Sequence, residues 1–142
     1  MEQTFFTVSF LLASMLFGAM LFFSFLIAPI TFIKLEAAAA GKLIRSIFPH
    51  YYLIIIILSF VTAVLLILAN HSSAVLMFII GLSGVFARQS LIPKINKYRD
   101  GEIAGDLDAK SKFDRLHRLS VVINGGQIIL LIISIVTISG WV

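Results

Sequence analysis

Polar and apolar residues segregate into long blocks along this chain instead of alternating at the period of an amphipathic helix or strand. Residues 3–33, 46–87 and 119–142 contain no Asp, Glu, Lys or Arg. A bilayer core about 30 Å thick takes about 20 helical residues to cross. The first block therefore predicts one span over residues 4–33, tilted or extending past the core. The second block is too long for a single crossing, since at about 1.5 Å per residue it would reach roughly 60 Å as a helix. It divides at its polar cluster, Asn70-His71-Ser72-Ser73, which predicts helices over 47–69 and 74–92. The last block predicts a fourth helix over 107–142. Strand-like runs such as Ile54-Ile55-Ile56-Ile57 do not change this reading, because an open strand edge leaves backbone groups unpaired in lipid.

Charge supplies the orientation. All eleven Lys and Arg residues lie between Lys34 and Arg118. Lys34, Lys42 and Arg45 fall around the first connection. Arg88, Lys94, Lys97, Arg99, Lys110, Lys112, Arg115 and Arg118 fall around the third. The second connection has none. Positive residues favour the cytoplasmic side, so both termini and the Asn70–Ser73 turn are expected outside it. The expected fold is all-α: an integral membrane four-helix bundle, up-down-up-down, forming a single domain over residues 1–142. The expected location is a bacterial inner membrane. Only Glu2 precedes the first apolar block, which is too long for a signal-peptide core, so a retained span is expected there.

Local signals refine the third connection. Pro93 is expected to end the third helix near residue 92. Gly101 and Gly105 suggest a turn region, and Asp106 can cap a new helix. Asp106/Lys110, Asp108/Lys112 and Asp114/Arg118 then stand at the favourable acid-before-base i,i+4 spacing. The fourth helix thus begins two to three turns before the membrane by this reading. Pro29 is expected to bend or end the first helix.

Composition narrows the chemistry. The chain has no Cys, which removes disulfides, thiolate nucleophiles and Cys-ligated metal sites. The net charge of +4 flanks apolar spans, so the expected partner is membrane lipid, including anionic headgroups on the cytoplasmic side, and not nucleic acid. A homo-oligomer or a larger membrane complex is also compatible with so small a bundle.

Four stretches carry a resemblance: Phe22-Phe23-Ser24-Phe25-Leu26-Ile27-Ala28-Pro29, Phe48-Pro49-His50-Tyr51-Tyr52, Ile92-Pro93-Lys94-Ile95-Asn96 and Leu116-His117-Arg118-Leu119-Ser120-Val121-Val122-Ile123-Asn124. In this order they resemble the transmembrane-protein-205-like family of small four-span membrane proteins. The resemblance implies the four-span architecture and points to these positions. It implies no reaction.

Polar side chains inside a bilayer are costly and face the bundle interior or water. His117, Ser120, Asn124, Gln127 and Ser134 recur at spacings of three, four, three and seven, forming one stripe on the fourth helix. The stripe reads either as a polar cleft or as interhelical hydrogen bonding. Arg88 reads as a snorkelling cation, as an inward guanidinium for an anionic ligand, or as a partner of Asp114. Gln89 and Asn96 are candidates for the same cytoplasmic mouth. Tyr51 and Tyr52 read as an interfacial aromatic belt or as walls of the cleft. Gly81 and Gly84, the Ser14/Gly18 pair, and Gly125 with Gly126 read as close-packing positions.

No nucleophile–base–carboxylate set, phosphate loop or dinucleotide fingerprint is present, so a non-enzymatic role is favoured. The leading expectation is a cytoplasm-facing cleft for an amphipathic small molecule or lipid headgroup, serving transport or membrane homeostasis. Its expected ligand-binding residues are Arg88, Gln89, Asn96, His117, Ser120, Asn124, Gln127 and Tyr51. The first alternative is a membrane redox module binding haem b or a metal through His117, with or without His50. The second is an accessory subunit of a larger membrane complex.

Overall fold

The computed structural model describes residues 1–140. It contains four helices long and apolar enough to cross a membrane: α1 (Glu2–Lys34), α2 (Ala37–Leu68), α3 (Ala74–Ile103) and α4 (Leu107–Ile138). No strand occurs among the described residues. The helices mark the chain as an integral membrane protein. Trp141 and Val142, the last residues of the expected fourth helix, lie outside the described residues.

Each helix turns a narrow stripe inward. On α1 this stripe is Ser9, Ala13, Leu16, Met20 and Phe23, spaced alternately by four and three. On α4 it is Ser120, Gln127, Leu131, Ser134 and Ile138. Large apolar side chains cover the outer faces, among them Leu11, Phe25, Ile57 and Ile129. Apolar residues gain little by leaving lipid for the protein interior. The inner stripe is therefore used for small and polar residues that pack closely or hydrogen-bond.

The turn between α2 and α3 is built by Asn70, whose φ of 51° is left-handed. It ends α2 as a C-terminal cap residue does: the His71 amide reaches back to the Leu66 carbonyl at 2.9 Å. The His71 ring meets Phe6 of α1 edge-on at 5.2 Å, which brings the start of α1 to this turn. The connections after α1 and α3 lie at the opposite, basic end, where Arg45 of α2 meets Asp100 of α3 at 2.7 Å.

Several expected boundaries move. α2 begins at Ala37 and not residue 47, so the first connection is only Leu35 and Glu36. Ala37–Ala40 make a good helix start, and Pro49 sits inside the helix. α3 does not end at Pro93 but runs on to Ile103. α1 likewise runs through Pro29. The physical reason is shared. A helical proline lacks an amide proton and its ring crowds the carbonyl four residues earlier. That carbonyl belongs to Phe25 for Pro29 and to Gln89 for Pro93. Both fall in wide π-helical turns, Phe22–Ile27 and Ala87–Leu91, which absorb the mismatch without ending the helix.

At the third connection, Gly105 makes the turn with φ of 92°, whereas Gly101 is helical. A Cβ on Gly101 would stand 2.7 Å from the Ala109 Cβ, so its small size lets the end of α3 meet the start of α4. Asp106 caps α4 as expected, accepting from the amides of Asp108 and Ala109. Of the three anticipated acid–base pairs, Asp108–Lys112 forms at 2.6 Å. Asp106 is committed to the cap instead, and Asp114 makes no ion pair with Arg118 or Arg88 among the described residues.

Candidate functional site

The two π-turns shape the interior. The first half of α1 packs along α4. Beyond it, among the described residues, no Cα of residues 22–34 comes within 8 Å of an α4 Cα. The basic end of α3 stays against α4. The bundle therefore opens toward its basic end, leaving a cavity of about 960 Å³ walled by all four helices.

At its apex is a three-helix hydrogen-bond node. Tyr51 of α2 donates to Asn124 Oδ1 at 2.6 Å, and Asn124 Nδ2 donates to the Ser24 hydroxyl of α1 at 2.8 Å. Ser24 occupies the π-turn. Asn124 is half-buried, and both ends of its amide are used within the protein.

Aromatic rings form the walls. Phe23 stacks on Tyr51 at 4.4 Å, and Phe48 stacks on Tyr52 at 6.1 Å. Both tyrosines are buried, so they are walls and not an interfacial belt. Across the cavity, Phe113 stacks on His117 at 5.8 Å, and the Arg99 guanidinium lies 5.1 Å from the Phe113 centroid.

Charge sits at the mouth. Lys42, Arg45 and Arg99 line it with Asp100. Arg45 bridges to Asp100 and to the Asn96 carbonyl, tying α2 to α3. Arg99 pairs with Glu102 at 2.6 Å. Lys42 has no ion-pair partner among the described residues and leaves the mouth with an excess of positive charge.

The expected site residues separate into two groups. Tyr51, Asn96, His117, Ser120 and Asn124 line the cavity. Arg88, Gln89 and Gln127 do not. Arg88 is neither free to snorkel nor turned to Asp114: its Nε donates to the Pro49 carbonyl at 3.0 Å, fastening α3 to α2. Gln89, beside it in the π-turn, is exposed. Gln127 is buried and donates to the Ser83 hydroxyl at 2.9 Å, fastening α4 to α3, while its Oε1 has no partner. The stripe on α4 is thus a lining at its basic half and interhelical bonding deeper in. Ser134 bonds its own helix at the Leu130 carbonyl.

His50 and His117 do not share a cavity. His50 lines a separate groove of about 300 Å³ with Leu16, Met20 and Ile54. The Phe23–Tyr51 stack borders both spaces. Tyr51 and Tyr52 both line the cavity, and His50 lies about 150° around α2 from the direction midway between them, so it faces away. No group of three or more His, Cys, Asp or Glu able to hold a metal occurs among the described residues.

Sequence reasoning missed Ser24, Phe48, Lys42, Arg45, Arg99 and Phe113 as cavity residues. Ser24 and Phe48 stood in the quoted stretches, but their inward direction depends on the π-turn and on α2 continuing past Pro49. Among the glycines expected to pack closely, only those on α3 do so: a Cβ on Gly81 would stand 2.9 Å from the Phe60 ring, and one on Gly84 would stand 3.1 Å from Ile56. Gly18, Gly125 and Gly126 face open space, contrary to the packing role expected of them.

The sequence model of a family described as a domain of unknown function (DUF4149) matches residues 11–103, more than half of the chain. The chain belongs to this family. The match spans α1 from Leu11 to the end of α3, and so takes in three of the cavity's four walls. No curated protein and no solved structure matches the chain.

Proposed function

We propose that this member of the DUF4149 family is a non-enzymatic membrane protein whose cavity binds an anionic amphiphile, in support of transport or membrane homeostasis. One observation carries the reading: a single cavity combines apolar aromatic walls, a polar apex and a mouth with excess positive charge. Ligand sites are concave and mostly apolar with a few placed polar groups, at about 300–1,000 Å³, and this cavity stands at the upper end. Lys42 and Arg45 attract the anionic group, the aromatic walls take the apolar part, and the Ser24–Asn124–Tyr51 node sets the depth of entry. His117 and Asn96 contribute hydrogen bonds near the mouth.

The distribution of basic residues supports an orientation with the mouth on the cytoplasmic side, both termini opposite, in a bacterial inner membrane. The motif resemblance to the transmembrane-protein-205-like family is a reading of the same four-span architecture.

Native mass spectrometry from a mild detergent tests the function. Gly41 lines the cavity, and a Cβ added there would meet nothing within 4 Å, so Gly41→Trp places a bulky ring at the cavity wall from an open position. Wild type is expected to retain a phosphatidylglycerol or phosphatidic acid adduct that Gly41→Trp loses. Equal adducts on both proteins would contradict the proposal.

A further inference from the structure

One side of the cavity, between α1 and α4, is bridged by no close backbone pair. Ser24 and Asn124 meet at its apex, but from there α1 and α4 diverge toward the basic end, and no Cα pair between residues 22–34 and α4 lies within 8 Å. Ala28 and Val121 line the cavity on either side of this gap. Each stands about one turn, roughly 4.5–6 Å, beyond the node toward the basic end. The cavity-lining residues Phe32 and Val121, on the two sides of the gap, are apolar and exposed, as are Phe25 and Val122 on the same two helix segments. In a membrane these side chains face lipid, so the gap opens sideways into the leaflet and not into water.

Resting on the functional reading above, we propose that the occupant is an anionic phospholipid that enters sideways from the basic-side leaflet through the gap between α1 and α4. Its phosphate stops beside Lys42, the mouth cation with no acidic partner among the described residues, and its acyl chain lies between the aromatic walls and the gap. A water-borne solute would enter at the charged mouth, where the Arg45–Asp100 pair ties α2 to α3 at 2.7 Å. A lipid entering through the gap leaves that pair intact and keeps its tail in an apolar medium throughout.

The absence of cysteine makes the route testable with engineered thiols. Ala28→Cys with Val121→Cys places a pair across the lateral gap. The control is the order of addition: the bridge is closed either before the lipid is added, blocking entry, or after the lipid is loaded, when only the route is closed. A bifunctional methanethiosulfonate bridges the pair, and reduction releases it. The probe is a phosphatidic acid with a diazirine in its tail, carried in phosphatidylcholine vesicles, and the readout is photolabel on Phe48 and Phe113 peptides.

The expected result is loss of cavity labelling when the bridge is closed before the lipid is added, recovery on reduction, and retained labelling when the bridge is closed after loading. Labelling that survives the bridge closed before loading, or is lost equally in both orders, overturns sideways entry. Absence of cavity labelling in the unbridged protein would instead overturn the functional reading itself.

Discussion

The bond between Tyr51 and Asn124 gives the sharpest quantitative prediction. At 2.6 Å it is a short O–H···O contact joining α2 to α4, and Asn124 also donates to Ser24 of α1. Tyr51→Phe removes one hydroxyl and little volume. Asn124→Leu removes both bonds and leaves the Tyr51 and Ser24 hydroxyls without this partner. Interhelical hydrogen bonds in membrane proteins average about 0.6 kcal/mol and reach about 1.7 kcal/mol. Tyr51→Phe is therefore expected to cost about 0.6–1.7 kcal/mol, and Asn124→Leu about 1–3 kcal/mol. In the double-mutant cycle the two losses overlap, with a coupling of about 0.6–1.7 kcal/mol. Reversible unfolding in mixed micelles with increasing SDS, followed by far-UV circular dichroism, measures all four proteins. Additivity within about 0.3 kcal/mol would refute the node, because independent sites behave that way.

Three other outcomes follow from the packing and charge. Gly81→Ala drives a methyl toward the Phe60 ring and should cost about 1–3 kcal/mol, whereas Gly126→Ala, in open space, should gain up to about 1 kcal/mol from helix propensity; thermal unfolding compares them. Thr62 is fully buried with an unpartnered hydroxyl, so Thr62→Val should leave stability unchanged or raise it by up to about 1–3 kcal/mol in the same SDS titration. For orientation, single cysteines at Ser72 and Ala104, both exposed, should differ in intact spheroplasts: an impermeant maleimide labels Ser72→Cys and spares Ala104→Cys. The reverse pattern would invert the proposed topology.

The four spans were legible because charge is excluded from lipid so strongly that the blocks alone divide the chain. The Asn70 turn and the Asp106 cap were legible because each depends on a local side-chain preference. What was hidden lies where two local rules conflict. Pro29 and Pro93 oppose a helix, while the bilayer and the neighbouring helices favour continuing it. The π-turns that reconcile these demands carry no sequence mark beyond the prolines themselves. They also set the direction of Ser24 and separate α1 from α4, so the cavity could not be read before they were seen. The α4 stripe was legible as a stripe, but its periodicity is the same for Asn124, which borders the cavity, and Gln127, which bonds α3. Only the partners distinguish them. Arg88 illustrates the same limit, since its carbonyl partner at Pro49 lies on another helix.

Mapping where a bound lipid lies tests the central claim most directly. Diazirine-tailed phosphatidic acid is photolysed with wild type and with Gly41→Trp, and the labelled residues are identified by peptide mass spectrometry. The cavity account predicts labels on Phe23, Phe48 and Phe113 in wild type and their loss in Gly41→Trp. Labels confined to outward-facing residues such as Leu11, Ile57 and Ile129, unchanged by Gly41→Trp, would contradict it.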